Sequence, residues 1–137
     1  MARLARLPQR PSRASPTAEA AAPIALADFA LNLYQSRRRR DELFPPGLFG
    51  EPAWDILLDL FVADAAGNRV DVGSACIAAA VPQTTALRYV GKLVRIGLVE
   101  RLPVPGDRRR STLALTGPGR AAIAAILTEL RARCQPD

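Results

Sequence analysis

The chain contains no histidine among its 137 residues. That removes the commonest general base and the commonest zinc ligand. Cysteine occurs only as Cys76 and Cys134, far apart and with no metal-ligand spacing. With no disulfide framework, a reducing cytosol is the natural compartment, so a cytoplasmic location is expected. Aromatic residues make up 5% of the chain, so the core must be aliphatic and rich in alanine. Long apolar runs are also missing. The longest, Ile24 to Tyr34, is broken by Asp28 and Asn32 and falls short of the ~20 residues that cross a bilayer. The arm before it carries Arg3, Arg6, Arg10 and Arg13 but no apolar h-region, so neither a secretory signal nor a membrane partner is expected. There is no nucleophile motif and no glycine-rich phosphate loop. The sequence therefore predicts neither an enzyme nor a bound cofactor or metal.

What is present is positive charge, unevenly spread. The net charge is +6, and arginine outnumbers lysine eighteen to one. Residues 1–40 carry eight arginines against two acids, and residues 41–87 carry one against seven. Residues 88–110 then carry seven cations against two acids. A net charge of this sign favours polyanionic partners without naming one.

Taken in order, residues 1–22 read as a disordered basic arm, dominated by Pro, Ser, Arg and Ala. Residues 23–48 read as an N-terminal helix used for packing or dimerisation, starting at Pro23 and stopped by Pro45-Pro46-Gly47. Leu26, Phe29, Ala30, Leu33 and Arg37 fall on one face of it, with Ala27, Leu31 and Tyr34 beside them. Arg37 to Arg40 point in four directions, so no more than two can serve one surface, and solvated charge is the expected role. A second helix opens at Gly50-Glu51-Pro52. Trp54, Leu57, Leu58, Phe61 and Val62 form its stripe, widened by Ile56 and Leu60. Glu51, Asp55 and Asp59 form a narrow edge, expected to be solvated or ion-paired.

Residues 69–71 suggest a one- or two-residue strand, with Asp71 placed to cap a short helix from Val72. Val72, Ala75, Cys76 and Ala79 form that helix's buried face, where Cys76 serves as a small hydrophobe. After a turn at Ala80-Val81-Pro82 comes a helix over 82–96. Ala86, Tyr89, Val90, Leu93 and Ile96 make its buried stripe. Gln83, Thr84, Leu87, Arg88, Gly91 and Arg95 lie opposite, and none of them is acidic. Gly97 suits a left-handed C-cap.

Leu98 to Leu102 reads as a strand and Pro103 to Asp107 as a turn. Arg108, Arg109 and Arg110 follow the turn, and Ser111 to Leu115 alternates as the returning strand. This is a hairpin with three arginines beside its tip. Thr116 caps a last helix over 117–137, whose Ala121, Ala122, Ala125, Ile126 and Leu130 form a small-residue stripe suited either to a dimer seam or to packing within the chain.

Helix, short strand, helix, turn, helix and hairpin is the order of a winged helix-turn-helix domain, here residues 49–116. The expected fold is mainly α with a small β-hairpin wing and flanking N- and C-terminal helices. Residues 50–120 also resemble the MarR family of bacterial transcriptional regulators. Trp54 with Ile56-Leu57-Leu58 resembles that family's first DNA-domain helix, and Thr84-Thr85-Ala86-Leu87-Arg88 its recognition-helix segment. Gly97-Leu98-Val99-Glu100-Arg101 is similar to its approach to the first wing strand. Asp107-Arg108-Arg109 resembles its wing signature, and Leu115-Thr116-x-x-Gly119-Arg120 the motif that follows. Leu87 stands where a member usually has a polar residue, and the long C-terminal dimer helices are cut short. The resemblance implies a DNA-binding regulator, a homodimer, and a small-molecule effector of unidentified chemistry.

The polar face of helix 82–96 then gains a role. Gln83, Thr84, Thr85 and Arg88 are the candidate base contacts, because Gln can bond adenine bidentately, Arg guanine, and Thr a base or phosphate. Lys92 and Arg95 lie further along, towards phosphates. In the wing, Arg108, Arg109 and Arg110 are backbone or minor-groove candidates. Arg109 is the best placed, and Asp107 is expected to orient a neighbouring arginine. The rival reading is a winged helix used for protein contact without specific DNA binding.

Overall fold

The computed structural model describes residues 25–134. The expected basic arm 1–22 and the helix start at Pro23 lie outside them. Helix α1 spans Leu26–Leu43, α2 spans Pro52–Ala65, and the two-residue strand β1 is Val70–Asp71. Helix α3 (Val72–Ala78) and helix α4 (Gln83–Arg95) follow. Strands β2 (Val99–Val104) and β3 (Asp107–Leu115) form the hairpin, and α5 (Gly117–Cys134) ends the described chain. The architecture is the expected mainly α winged helix-turn-helix.

Helix α2 is the hub. Pro52 sits in its first turn, where a missing N–H costs nothing. Ile56, Leu57, Leu58, Leu60, Phe61 and Ala63 are all buried, so its apolar surface wraps well beyond one stripe. Helices α1, α3, α4 and α5 and strand β3 all pack against it. Its acidic edge departs from the solvated alternative. Asp55 is 1% exposed and Asp59 0%. The reason is the crossing of α1, which brings Arg37 Nε to 2.6 Å from Asp55 Oδ1 and Arg38 to 3.1 Å from Oδ2. Two of the four consecutive arginines expected in solvent are thus half-buried counterions. Arg39 keeps an exposed partner in Glu42, and Arg40 lies 4.0 Å over the Phe49 ring. On α1 itself Phe29, Ala30, Leu31 and Tyr34 are buried, drawn from both sets of apolar positions, while Leu33 is only half-buried.

The sheet has three antiparallel strands in the order β1-β3-β2, so the wing is more than a hairpin. Val70 pairs with Leu113 and Val99 with Leu115, and all four side chains face the core. Both hairpin strands run further than the sequence reading placed them. The turn shrinks to Pro105-Gly106, with Gly106 at φ 81°, and the three arginines sit within β3.

Of the two roles open to the small-residue stripe of α5, packing within the chain holds only for Leu130. Gly119, Ile123 and Leu127 face inward, and Leu130 joins the core margin. Ala121, Ala122, Ala125 and Ile126 lie outside. A close approach sets this phase: a Cβ on Gly119 would stand 2.0 Å from the Leu98 carbonyl oxygen. Thr116 locks the same junction. Its hydroxyl accepts from Gly119 N–H at 3.0 Å and donates to the Gly97 carbonyl at 2.6 Å. One residue on, Arg120 grips Asp64 at the end of α2 through two bonds of 2.6 and 2.8 Å.

Two expectations follow. Gly119→Ala should lower stability by on the order of 3 kcal/mol, read from urea unfolding, because backbone and not a movable side chain blocks the methyl group. The Arg120 guanidinium holds the Asp64 carboxyl below its ordinary value. A depressed carboxyl stabilises the fold at neutral pH and loses that contribution as pH falls below about 4. Asp64→Asn should therefore lower the melting temperature at pH 7 and shrink the difference from the parent at pH 3.

Candidate nucleic-acid interface

The interface is built on the α3–α4 turn. Helix α3 buries Ala75, Cys76 and Ala78, and Cys76 behaves as the expected small hydrophobe, with burial pushing its thiol pKa up. Ala79 is buried too, while Val72 is only half-buried. The connection to α4 passes through Ala80 at φ 58°, a left-handed conformation that costs an alanine about 1 kcal/mol or more. Pro82 then occupies the N-cap of α4 with extended backbone and no side-chain cap. The first intrahelical bond runs from Ala86 N–H to the Pro82 carbonyl, leaving the amides of Gln83, Thr84 and Thr85 without helical partners.

Helix α4 is strongly two-sided. Ala86, Val90 and Leu93 are buried and Tyr89 is half-buried. Ile96, expected to continue that stripe, is 59% exposed. It is the C-cap, so the backbone has already left the helical course, and Gly97 turns the chain at φ 84°. On the opposite side Gln83, Thr84, Arg88, Lys92 and Arg95 are exposed, and Thr85 and Gly91 are half-buried. Leu87 lies among them at 39% exposure, an apolar side chain on the polar face. Among the described residues none of Arg88, Lys92 and Arg95 has an acidic partner. Arg88 lies 5.8 Å from the Tyr89 ring centroid, and the Arg95 guanidinium lies close over Gly91.

The wing treats its three arginines differently. Arg110 donates to both Asp71 oxygens, at 2.9 and 3.2 Å. Asp71 does stand at the N-cap of α3, but it makes no capping bond, because its carboxylate is taken by Arg110. Arg69 adds a second tie across the same strands, donating to Thr112 Oγ1 at 2.8 Å. Asp107 was expected to orient an arginine side chain. Instead its Oδ1 accepts the Arg109 backbone N–H at 3.1 Å, shaping the turn. Alternation puts Arg109 on the side of β3 opposite Arg108 and Arg110. The Arg108 and Arg109 side chains have no acidic partner among the described residues.

The structure thus brings Gln83, Thr84, Thr85 and Arg88 to one end of α4, with Lys92 and Arg95 beyond, and holds Arg110 back on Asp71. The sequence reading missed the Asp71–Arg110 and Asp64–Arg120 pairs. The arginine in the Leu115 to Arg120 motif was the only hint of the second.

No family model and no curated protein matches the sequence. Solved structures do match. Transcriptional regulator PA4135 aligns with a TM-score of 0.53 at 22% identity, over 75% of this chain and 77% of that one. The MepR–DNA complex of S. aureus gives a TM-score of 0.56 at 18% identity, covering 76% of this chain and 80% of MepR. NadR, solved with 4-hydroxyphenylacetate, gives 0.51 at 18% identity, covering 93% and 80%. The fold is that of MarR-family regulators. At this level of identity the likeness establishes architecture and transfers no residue role. Among the described residues, no helix is long and apolar enough to cross a membrane.

The left-handed Ala80 is a built-in strain that glycine would not feel. Ala80→Gly should raise stability by about 1 kcal/mol, measured by chemical denaturation, without altering the fold.

Proposed function

We propose that this protein is a sequence-specific double-stranded DNA-binding transcriptional regulator and not an enzyme. In this reading α4 enters the major groove, and the wing meets the minor groove or the backbone. One observation carries it: the distribution of unneutralised charge. Arg37, Arg38, Arg39, Arg69, Arg110 and Arg120 all have carboxylate partners. Arg88, Lys92, Arg95, Arg108 and Arg109 have none among the described residues. These five lie on the outer face of α4 and on the wing, the two elements that a winged helix presents to a duplex, and Arg101 joins them on the wing. Arg40 on α1 and Arg133 on α5 are the other described arginines without a carboxylate partner.

Gln83, Thr84, Thr85 and Arg88 are the proposed base readers, and the open amides at the start of α4 suit a phosphate. Lys92, Arg95, Arg108 and Arg109 are the proposed backbone and groove contacts. Arg110 belongs with them through its tie from the wing to Asp71. Leu87 suits a thymine methyl. The domain boundaries at 49 and 116, a homodimer through the flanking helices, and a cytoplasmic location belong to the same proposal. MepR was solved on DNA and NadR with a small carboxylic acid, which supports DNA as the partner and admits a small-molecule effector.

The test is selection of duplexes from a random pool, followed by titration across salt. Affinity for the selected duplex should fall steeply as salt rises. Arg88→Ala should cost about 1–3 kcal/mol and relax base preference, whereas Lys92→Ala should weaken all duplexes alike and reduce the salt slope by about one. If no duplex is enriched and binding ignores salt, the winged helix serves protein contact instead.

A further inference from the structure

Ala78 is the last residue of α3, and its carbonyl oxygen is one of the end groups that a helix cannot satisfy internally. Its neighbours find local donors. The Ala75 carbonyl accepts from Ala79 N–H at 3.0 Å and the Ile77 carbonyl from Ala80 N–H at 3.1 Å. The Ala78 carbonyl is served from elsewhere in the chain. Tyr34 Oη donates to it at 2.8 Å and Arg38 Nη1 at 3.2 Å, both from α1 and some forty residues away in sequence.

Neither donor is free to wander. Tyr34 is buried, and the Arg38 guanidinium lies 5.0 Å from its ring centroid. Arg38 Nη2 is tied to Asp55 Oδ2 at 3.1 Å, and the other oxygen of Asp55 is held by Arg37 at 2.6 Å. The anchor therefore runs from Asp55 of the hub α2, through Arg38 of α1, to the end of α3. After four intervening residues, α4 begins at Gln83. The intervening turn is short and contains the left-handed Ala80 and Pro82, whose ring fixes φ, so a change in the direction of α3 carries over into α4.

We infer that Tyr34 and Arg38 are positioning residues for base reading, which act through the Ala78 carbonyl to set the direction in which α4 leaves the α3–α4 turn. They touch no DNA. The inference rests on the proposed reading of α4 as the groove-entering helix. It also gives the N-terminal helix a task besides packing, since any shift of α1 along α2 moves the two donors that hold the turn.

The test uses Tyr34→Phe, which keeps the buried ring and removes only the hydroxyl, with Ile123→Val on α5 as a destabilised control remote from the turn. The first readout needs no DNA. Amide hydrogen exchange over residues 79–86 should quicken in Tyr34→Phe, with β2 and β3 unchanged, and should stay at the parent rate in Ile123→Val. Wild-type protection of 79–86 in Tyr34→Phe overturns the inference. The second readout is the ratio of affinities for the selected duplex and a scrambled one. Tyr34→Phe should lower that ratio about tenfold with the salt slope intact, because one hydrogen bond is lost and no phosphate contact is. An unchanged ratio, or an equal fall in Ile123→Val, overturns the inference. If the parent protein itself selects no duplex, it is the DNA reading that fails, and the exchange result shows separately whether the turn is held by α1.

Discussion

A carboxylate withdrawn from water has to be met by positive charge and by donors, and at Asp55 that requirement organises the molecule. Asp55 lies in the first turn of α2, fully inside the fold, and two successive arginines of α1 close on its two oxygens. Breaking such a pair from one side leaves a buried charge uncompensated, which costs more than the pair gains relative to a well-packed apolar core. The ion cluster is therefore a register device. It admits only the crossing of α1 over α2 that puts Arg37 and Arg38 there, and this crossing brings Tyr34 beside the end of α3.

A second fixed junction lies at the other end of α2. Gly119 rides against the Leu98 backbone, Thr116 bridges Gly97 and Gly119, and Arg120 fastens α5 to Asp64. The hairpin hangs from this junction and is tied to β1 nearer its tip by the Asp71–Arg110 pair. Both elements that face outward with free cations, α4 and the wing, are thus held at their roots by short polar contacts. Their outer faces remain without acidic partners. Rigid roots and unneutralised surfaces are what a polyanion reader needs, because phosphate contacts gain most when the cations are neither paired nor mobile on the scale of the groove.

The element order was legible because the signals are local. Pro52 opens a helix, Gly97 ends one, and Thr116 caps one, each through backbone chemistry within a turn. The two-sided α4 was legible from its apolar spacing, and the exposed face carries the residues that spacing named. Ile96 failed because a periodic stripe continues on paper past the point where the backbone stops being helical. Which face of α5 turns inward was not legible for a related reason. Alanine is compatible with inside and outside alike, and the phase was set by one glycine that had to lie flat on a distant carbonyl.

Sequence by itself determined the succession of elements, the Thr116 cap and the Gly97 stop, the winged order, and which residues lie on the polar side of α4. These follow from backbone stereochemistry and from a period of three to four residues. Only the tertiary structure decided which arginines are spent on carboxylates and which stay free. Arg37, Arg38, Arg110 and Arg120 look no different in sequence from Arg88, Arg95, Arg108 and Arg109. What separates them is an acid brought within about 3 Å by helix crossing or strand pairing, across tens of residues, and no local pattern records that meeting.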